Sequence, residues 1–319
     1  MGTLVVGVDG SDGARTALAW AHEAARLHAD DLVVMTVLAP PAVLIGEAAL
    51  GVQHRAEVER ATTRRAAAML DEMVAPYADA GVAIKPVVET APAAFEALVE
   101  RAAGSDGLVV GSRGLGAYRR MLLGSVSQQA VLHARSPVVV VPQPSQEGRR
   151  RDKVVVGIDG SPGARAALLR AAAEARLRGY ELELAMVQPA PPLPDVHTPA
   201  DAAIYAYLWT GVLPPSRLDD DARLRRQQVV DHWRQQAERQ LSDELGRLDP
   251  RTLPDVVTRA VIGSGSPARA LLDVAEWARL LVLGGHGHGG FRGMLLGSVS
   301  QHCVRHATAP VLVVPPGAP

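Results

Sequence analysis

Val5-Val6-Gly7-Val8-Asp9-Gly10-Ser11 returns 150 residues later as Val155-Val156-Gly157-Ile158-Asp159-Gly160-Ser161, and Gly13-Ala14-Arg15 follows in step as Gly163-Ala164-Arg165. Toward the end of each half, residues 121–128, Met-Leu-Leu-Gly-Ser-Val-Ser-Gln, recur identically as residues 294–301. Identity over such blocks in the same order is the signature of a duplicated unit. The offset widens from 150 to 173 between the two pairs, so the second half carries an insertion. The chain therefore divides into a first unit (1–142), a linker (143–152) and a second unit (153–316).

Within each unit, short apolar runs rich in β-branched residues alternate with helix-forming stretches. In the first half, strands are predicted at 4–8, 32–38, 82–88, 108–110 and 137–141, and helices at 14–27, 57–77 and 93–103, with another opening at Ser125. Ser11 reads as a helix cap, Ser125 and its repeat counterpart Ser298 as caps of a later helix, and Pro92 as a residue at a helix start. Strands that are apolar throughout are buried on both faces, which predicts parallel sheets covered by helices. The expected fold is α/β: two tandem open, Rossmann-like sheets of five strands each. Val-rich edge strands left uncovered invite aggregation. The last strands, 137–141 and 310–314, are therefore expected to meet and pack the halves as an intramolecular pseudo-dimer. Further association of two chains stays open.

Composition narrows the function classes. Of the 319 residues, 48% are hydrophobic, enough for real cores, but only 3% are aromatic, so the cores are aliphatic. The net charge of −1 leaves no general basic surface for nucleic acid, and the run Arg149-Arg150-Arg151 reads as a solvated linker. Cys303 is the single cysteine, which excludes an intramolecular disulfide, and it reads as a buried small hydrophobe. No apolar run reaches the ~20 residues of a membrane span, and no leader pattern opens the chain, so a cytoplasmic protein is expected. The extra residues of the second half fall at about 189–221, with Pro189, Pro191, Pro192 and Pro194 among them, and read as a tolerated loop insertion.

Ligands of open α/β sheets bind beyond the carboxyl ends of the strands. Three repeated features arrive there: Asp9 or Asp159 after the first strand; Gly111-Ser112-Arg113-Gly114 or Gly284-Gly285-His286-Gly287 after the fourth; and Gly124-Ser125 or Gly297-Ser298 opening a helix. Glycine lets backbone N–H groups approach phosphate closely, and a helix N-terminus adds free donors and a positive dipole end. That combination needs no lysine, and Lys85 and Lys153, the two in the chain, lie elsewhere. A lone glycine loop is explained equally well as a turn. Two loops with the same Gly-x-x-Gly spacing, nine residues, then Gly-Ser point to a bound phosphate ligand.

With these residues in view, the chain resembles a tandem universal stress protein of the ATP-binding subtype, over nearly its whole length. The resemblance implies ATP as ligand, with Mg²⁺ as an optional companion held through the phosphates near Asp9 and Asp159. It implies that those aspartates lie by ribose or phosphates, and that backbone at Val37 and Val187 meets adenine. It further implies that Val110, Gly111, Arg113, Gly114, Gly124, Ser125, Val126 and Ser127 wrap ribose and phosphates. Leu283, Gly284, His286, Gly287, Gly297, Ser298, Val299 and Ser300 would do so in the second half. Departures from the family pattern are Thr90-Ala91-Pro92 in place of a Gly-x-Pro that survives as Gly265-Ser266-Pro267, Ala14 and Ala164 where a serine is frequent, and Arg279 where the first half has Asp106. The last difference has no account at the level of sequence.

The expected function is an ATP-binding stress-response module in which the nucleotide is a structural or signalling ligand. The alternatives are a slow ATP hydrolase and a module that binds a partner without nucleotide. The pyrophosphatase loop, the P-loop Gly-x-x-x-x-Gly-Lys-Ser/Thr and the dinucleotide Gly-x-Gly-x-x-Gly are all absent. No paired carboxylate or base is evident beside the aspartates. His286 and His288 flank Gly287 and read as loop residues rather than a metal pair.

Overall fold

Parallel strands build the first half: β1 (Thr3–Gly7), β2 (Asp31–Leu38), β3 (Ile84–Thr90), β4 (Gly107–Gly111) and β5 (Val138–Val141). The second half repeats them as β6 (Lys153–Ile158), β7 (Glu181–Val187), β8 (Val257–Ile262), β9 (Leu280–Gly284) and β10 (Val311–Val314). Helices α1 (Asp12–His28), α2 (Val52–Val74), α3 (Ala94–Arg101) and α4 (Ser125–His133) join the first set; α5 (Pro162–Arg178), α6 (Asp220–Gly246), α7 (Pro267–Ala275) and α8 (Ser298–His306) join the second. The structure is a computed structural model that describes residues 2–40, 52–78, 81–114, 123–143, 150–187, 220–262, 266–287 and 296–317. The proline-bearing part of the insertion, most of the linker and His288 lie outside these residues.

All ten strands form one sheet in the order β3-β2-β1-β4-β5-β10-β9-β6-β7-β8. Every pairing within a half is parallel, and the single junction between halves, β5 with β10, is antiparallel. Val139 pairs with Leu312, and Val138 and Val140 with Val313 and Val311. Since Leu312 is the repeat counterpart of Val139, a pseudo-two-fold axis passes between them. The side chains of both strands are all buried, and each Val or Leu removed from water contributes about 1.5–3 kcal/mol. The expected pseudo-dimer contact through the last strands is thus the one observed.

Alternate residues of the inner strands serve two apolar layers. Leu4, Val6, Leu32, Val34 and Val139 pack with α1, α2, α5 and α6, whereas Val5, Val33, Val110, Val138 and Val140 pack with α3, α4, α7 and α8. Burial on both faces explains why β1, β2, β4 and β5 show no polar alternation, whereas the outer strands β3 and β7 carry Lys85, Glu89, Glu181 and Glu183. Cys303 is fully buried in the second layer, as expected, and burial pushes its thiol up to about 12.

Some predicted boundaries move. α2 starts at Val52, five residues before the predicted start, and stops at Val74, because Pro76 turns its end into a 3₁₀ segment, Ala75–Tyr77. Pro92 precedes the extended N-cap Ala93 and so lies two residues before the first residue of α3, Ala94. In the second half the equivalent proline, Pro267, is inside the first turn after the N-cap Ser266. Among the described residues, no helix is long and apolar enough to cross a membrane.

Candidate functional site

β1 ends against the turn Asp9-Gly10-Ser11. Gly10 adopts φ 84°, a left-handed conformation that a side chain would strain. The turn is fixed by the Ser11 N–H, which donates to Asp9 Oδ1 at 3.1 Å. Ser11 Oγ then accepts the Ala14 N–H at 3.2 Å and caps α1 as predicted. The second half repeats both bonds, Ser161 N–H to Asp159 Oδ1 at 2.9 Å and Ala164 N–H to Ser161 Oγ at 3.1 Å. Because the cap uses backbone at Ala14 and Ala164, a serine side chain is not needed at either position.

β4 reaches the same edge beside α1. Gly111 meets the first turn of α1 backbone to backbone, and a Cβ on Gly111 would lie 2.8 Å from the Gly13 carbonyl oxygen. A Cβ on Gly13 would in turn strike the Arg113 carbonyl at 2.6 Å. Gly114 passes against the Asp9 carboxylate, and Gly287 against that of Asp159. The loop is tied to α4 by the Gly124 N–H, which donates to the Ser112 carbonyl at 2.7 Å; in the second half Gly297 donates to Gly285 at 2.7 Å. Val37 lies two residues beyond Met35, the β1 partner of Gly7, and so stands level with Asp9 at the same edge, as Val187 does at the end of β7.

The expected caps Ser125 and Ser298 are not caps. Each is the first residue of its helix and is exposed. The N-cap positions belong to Gly124 (φ −75°, ψ 153°) and Gly297 (φ −70°, ψ 150°), with no side-chain cap bond. The reason is local: the carbonyl of Gly124 accepts the Gln128 N–H at 3.0 Å and starts the helix one residue earlier. Two helix N-termini therefore converge on each site, one capped by serine and one whose first-turn donors have no side-chain cap among the described residues.

The remaining predicted residues divide by what their side chains do. Val110 and Leu283 are buried in the core, so only their backbone faces the edge. Ser127 is buried, and its hydroxyl donates to the carbonyls of Ser112 (3.3 Å) and Gly124 (3.0 Å); the Ser300 hydroxyl donates to Gly284 at 2.7 Å. Val126 and Val299 are half-buried against the second apolar layer. Arg113 and His286 are half-buried at matching places, and Ser161 Oγ donates to the His286 carbonyl at 3.3 Å. Gly13, Gly163, Ser112 and Gly285 belong to this arrangement and were not predicted as site residues. The signal for the first two was present in the repeated Gly-Ala-Arg, which reads only as duplication until the fold brings it to β4. Among the described residues, no group of three or more His, Cys, Asp or Glu side chains could share a metal ion.

The model of the universal stress protein family matches residues 1–142, 150–209 and 211–315. The chain belongs to the universal stress protein family. A universal stress protein of Mycolicibacterium smegmatis is 32% identical over 98% of this chain and 97% of its own length. One from Mycobacterium tuberculosis is 33% identical over 97% and 94%. The crystal structure of a universal stress protein from Archaeoglobus fulgidus covers 98% of this chain and 95% of its own, with a TM-score of 0.60 at 18% identity. This is a tandem universal stress protein, and both halves keep the Asp-Gly-Ser turn and the glycine spacing of the loop.

Proposed function

We propose that each half holds one ATP at the carboxyl edge of its sheet, so that the chain is a two-site nucleotide receptor and not a fast enzyme. The observation that carries this reading is the pair Gly124 and Gly297. Their backbone angles suit any residue, and a Cβ would sit 3.5 Å from its nearest neighbours at Gly124 and 3.4 Å at Gly297, which is ordinary contact. The fold does not require glycine there, whereas it does at Gly111 and Gly284. A ligand lying on the uncapped first turn of α4 or α8 supplies the missing reason, because a Cβ would occupy its place. Free N–H donors and the positive end of the helix favour an anion at that position.

In this reading the N–H groups at the start of α4 and α8 hold phosphate, the backbone at Val37 and Val187 meets adenine, and Asp9 and Asp159 lie by the ribose or phosphates. Mg²⁺, if bound, is held chiefly by the phosphates. Bound ATP ties β1, β4 and α4 together, which suits a ligand that stabilises one state of a stress-response protein in the cytoplasm.

Calorimetry on the full chain tests the reading. Two ATP per chain are expected; Gly124→Val removes one site and Gly297→Val the other, with the circular dichroism spectrum unchanged. A single site in the wild type, or both lost in one variant with the fold intact, overturns it. Turnover is expected far below the enzyme median of about 10 s⁻¹. Hydrolysis near that rate, lost on Asp9→Ala with Asp159→Ala, would replace the receptor with an ATPase.

A further inference from the structure

Glu174 on α5 is the most deeply buried carboxylate among the described residues and lies at the seam between the halves. His28 Nε2, from the last turn of α1, is 3.0 Å from its Oε1. Arg170 Nε donates to Oε1 and Arg178 Nε to Oε2, each at 3.1 Å. The Arg178 guanidinium also lies 5.3 Å over the Trp20 ring and 3.8 Å from Glu23, both on α1. Asp30 and Asp106 of the first half line the same small cavity, whose floor includes Val139 and Leu312 on the pseudo-two-fold axis.

Comparison of the two helices by repeat position separates two faces. The residues of α1 turned to the sheet, Ala17, Leu18, Ala21 and Ala25, recur unchanged as Ala167, Leu168, Ala171 and Ala175, and all are buried. The residues turned to the other half do not recur. Trp20, Ala24 and His28 stand where α5 has Arg170, Glu174 and Arg178, and Asp30 and Asp106 where the second half has Tyr180 and Arg279. The first half thus offers an aromatic ring, an imidazole and carboxylates, and the second offers two guanidiniums around one carboxylate.

Symmetric pairing of two second halves would bring Glu174 against its own copy and four guanidiniums into one buried seam. The Trp20 ring and the carboxylates of Glu23, Asp30 and Asp106 would be missing. Buried charges without partners of opposite sign are costly, and such juxtapositions exclude wrong partners. We infer that the α5 face around Glu174 is a partner-selective surface, which takes the first-half face of Trp20, Ala24 and His28 and rejects a second copy of itself. Pairing of unlike halves is thereby favoured over association of second halves between chains.

The antiparallel junction supplies a direct readout on the full chain. Leu312 faces Val139 when unlike halves pair and would face its own copy when two second halves pair, so Leu312→Cys reports like pairing as an oxidised covalent dimer. The native Cys303 is buried and does not compete. With the wild-type seam, less than about a tenth of the chain should cross-link. With Arg170→Trp, Glu174→Ala and Arg178→His added, which copy the first-half face onto the second, the covalent dimer should rise several-fold. Equal cross-linking in the two backgrounds overturns the inference. Should the quadruple variant fail to fold, Ala24→Glu decides. A second carboxylate at the axis should lower amide protection of β5 and β10 at least tenfold relative to β1 and β6, and far more than Ala24→Gln, which adds the same bulk without the charge. Equal loss in the Glu and Gln variants also overturns it.

Discussion

At the carboxyl edge the two halves match at the turn and at the helix start: Gly124 and Gly297 sit at the same helix position with nearly the same backbone angles, and Asp9 and Asp159 close the same turn. At the seam, Ala24 and Glu174 occupy the same repeat position with opposite chemistry. The difference follows from what each residue faces. At the edge, each half meets the same geometrical problem separately, and one solution serves twice. At the axis a residue meets its own counterpart, so a duplicated charge would meet its like, and the two copies have become complementary instead.

The largest expected effect lies at the seam. Burial alone would raise the Glu174 carboxyl; the hydrogen bond with His28 and the charges of Arg170 and Arg178 overcome it and hold the group at about 2, against an ordinary 4.5. Glu23, Asp30 and Asp106 are the other acids facing this network. A folded value below the unfolded one means that the carboxylate contributes its stability fully above pH 4.5 and loses it as pH falls toward 2. The contribution is on the order of 3 kcal/mol. Urea unfolding of wild type and Glu174→Gln should therefore differ by about that much at pH 7, with the gap closing between pH 4.5 and 2. A gap independent of pH would remove the electrostatic reading of the seam.

The next effect separates two kinds of glycine. Gly111→Ala places a Cβ 2.8 Å from the Gly13 carbonyl, a backbone atom that cannot swing away, and should cost about 1–3 kcal/mol. Gly124→Ala meets only ordinary contacts. Its small loss as an N-cap residue is offset by reduced freedom of the unfolded chain, so stability should stay within about 0.5 kcal/mol. Nucleotide affinity should respond far more strongly to Gly124→Ala than stability does. Thermal unfolding and calorimetry on both variants check the two halves of this statement, and equal destabilisation would collapse the distinction.

Much of this was legible in the sequence. The duplication, the ten strands and the meeting of 137–141 with 310–314 follow from identity in register and from apolar runs that must be covered. The convergence of Asp9, Gly111 and Gly124 follows once the strands are parallel. What could not be read depends on neighbours distant in the chain. Gly13 and Gly111 need each other's backbone. Ser125 looks like a cap until the Gly124 carbonyl is seen to start the helix. The change from Asp106 to Arg279 had no account in the sequence, because each answers a different neighbour: Asp106 accepts the Thr3 N–H and lines the seam cavity with Arg170 and Glu174, whereas Arg279 pairs with Asp152. Residue type announces a turn or a strand but not which side chain will stand opposite.

A smaller effect tests the two kinds of helix start. Ser11→Ala and Ser161→Ala each remove a hydroxyl that accepts a backbone N–H, and should each cost about 1 kcal/mol. Ser125→Ala and Ser298→Ala remove exposed hydroxyls from a first helical residue, where alanine propagates a helix at least as well, and should change stability by less than about 0.5 kcal/mol. Chemical denaturation of the four variants gives the comparison, and comparable losses would return Ser125 and Ser298 to a capping role.

The smallest expected effect concerns the ends of the same two helices. α1 stops at Ala29 with φ 56°, and α5 stops at Gly179 with φ 65°. Both residues are left-handed and both send their N–H back to the helix, to the Ala25 carbonyl in the first half and to the Ala175 and Arg176 carbonyls in the second. Among the described residues Ala29 is the only non-glycine with positive φ. Its Cβ crowds the following carbonyl at a cost of about 1–2 kcal/mol, which glycine avoids. Glycine also has more freedom to lose on folding, about 0.4–1 kcal/mol relative to alanine. The first term is the larger, so Ala29→Gly should stabilise the chain by about 0.5–1 kcal/mol, and Gly179→Ala should destabilise it by a similar amount. His28 immediately precedes Ala29 and holds Glu174 across the seam, so a substitution that relaxed the helix end enough to move His28 would destabilise instead. Urea unfolding of Ala29→Gly at pH 7 reads the sign directly. A gain shows that the left-handed stop is independent of the seam, and a loss shows that the alanine helps to position His28.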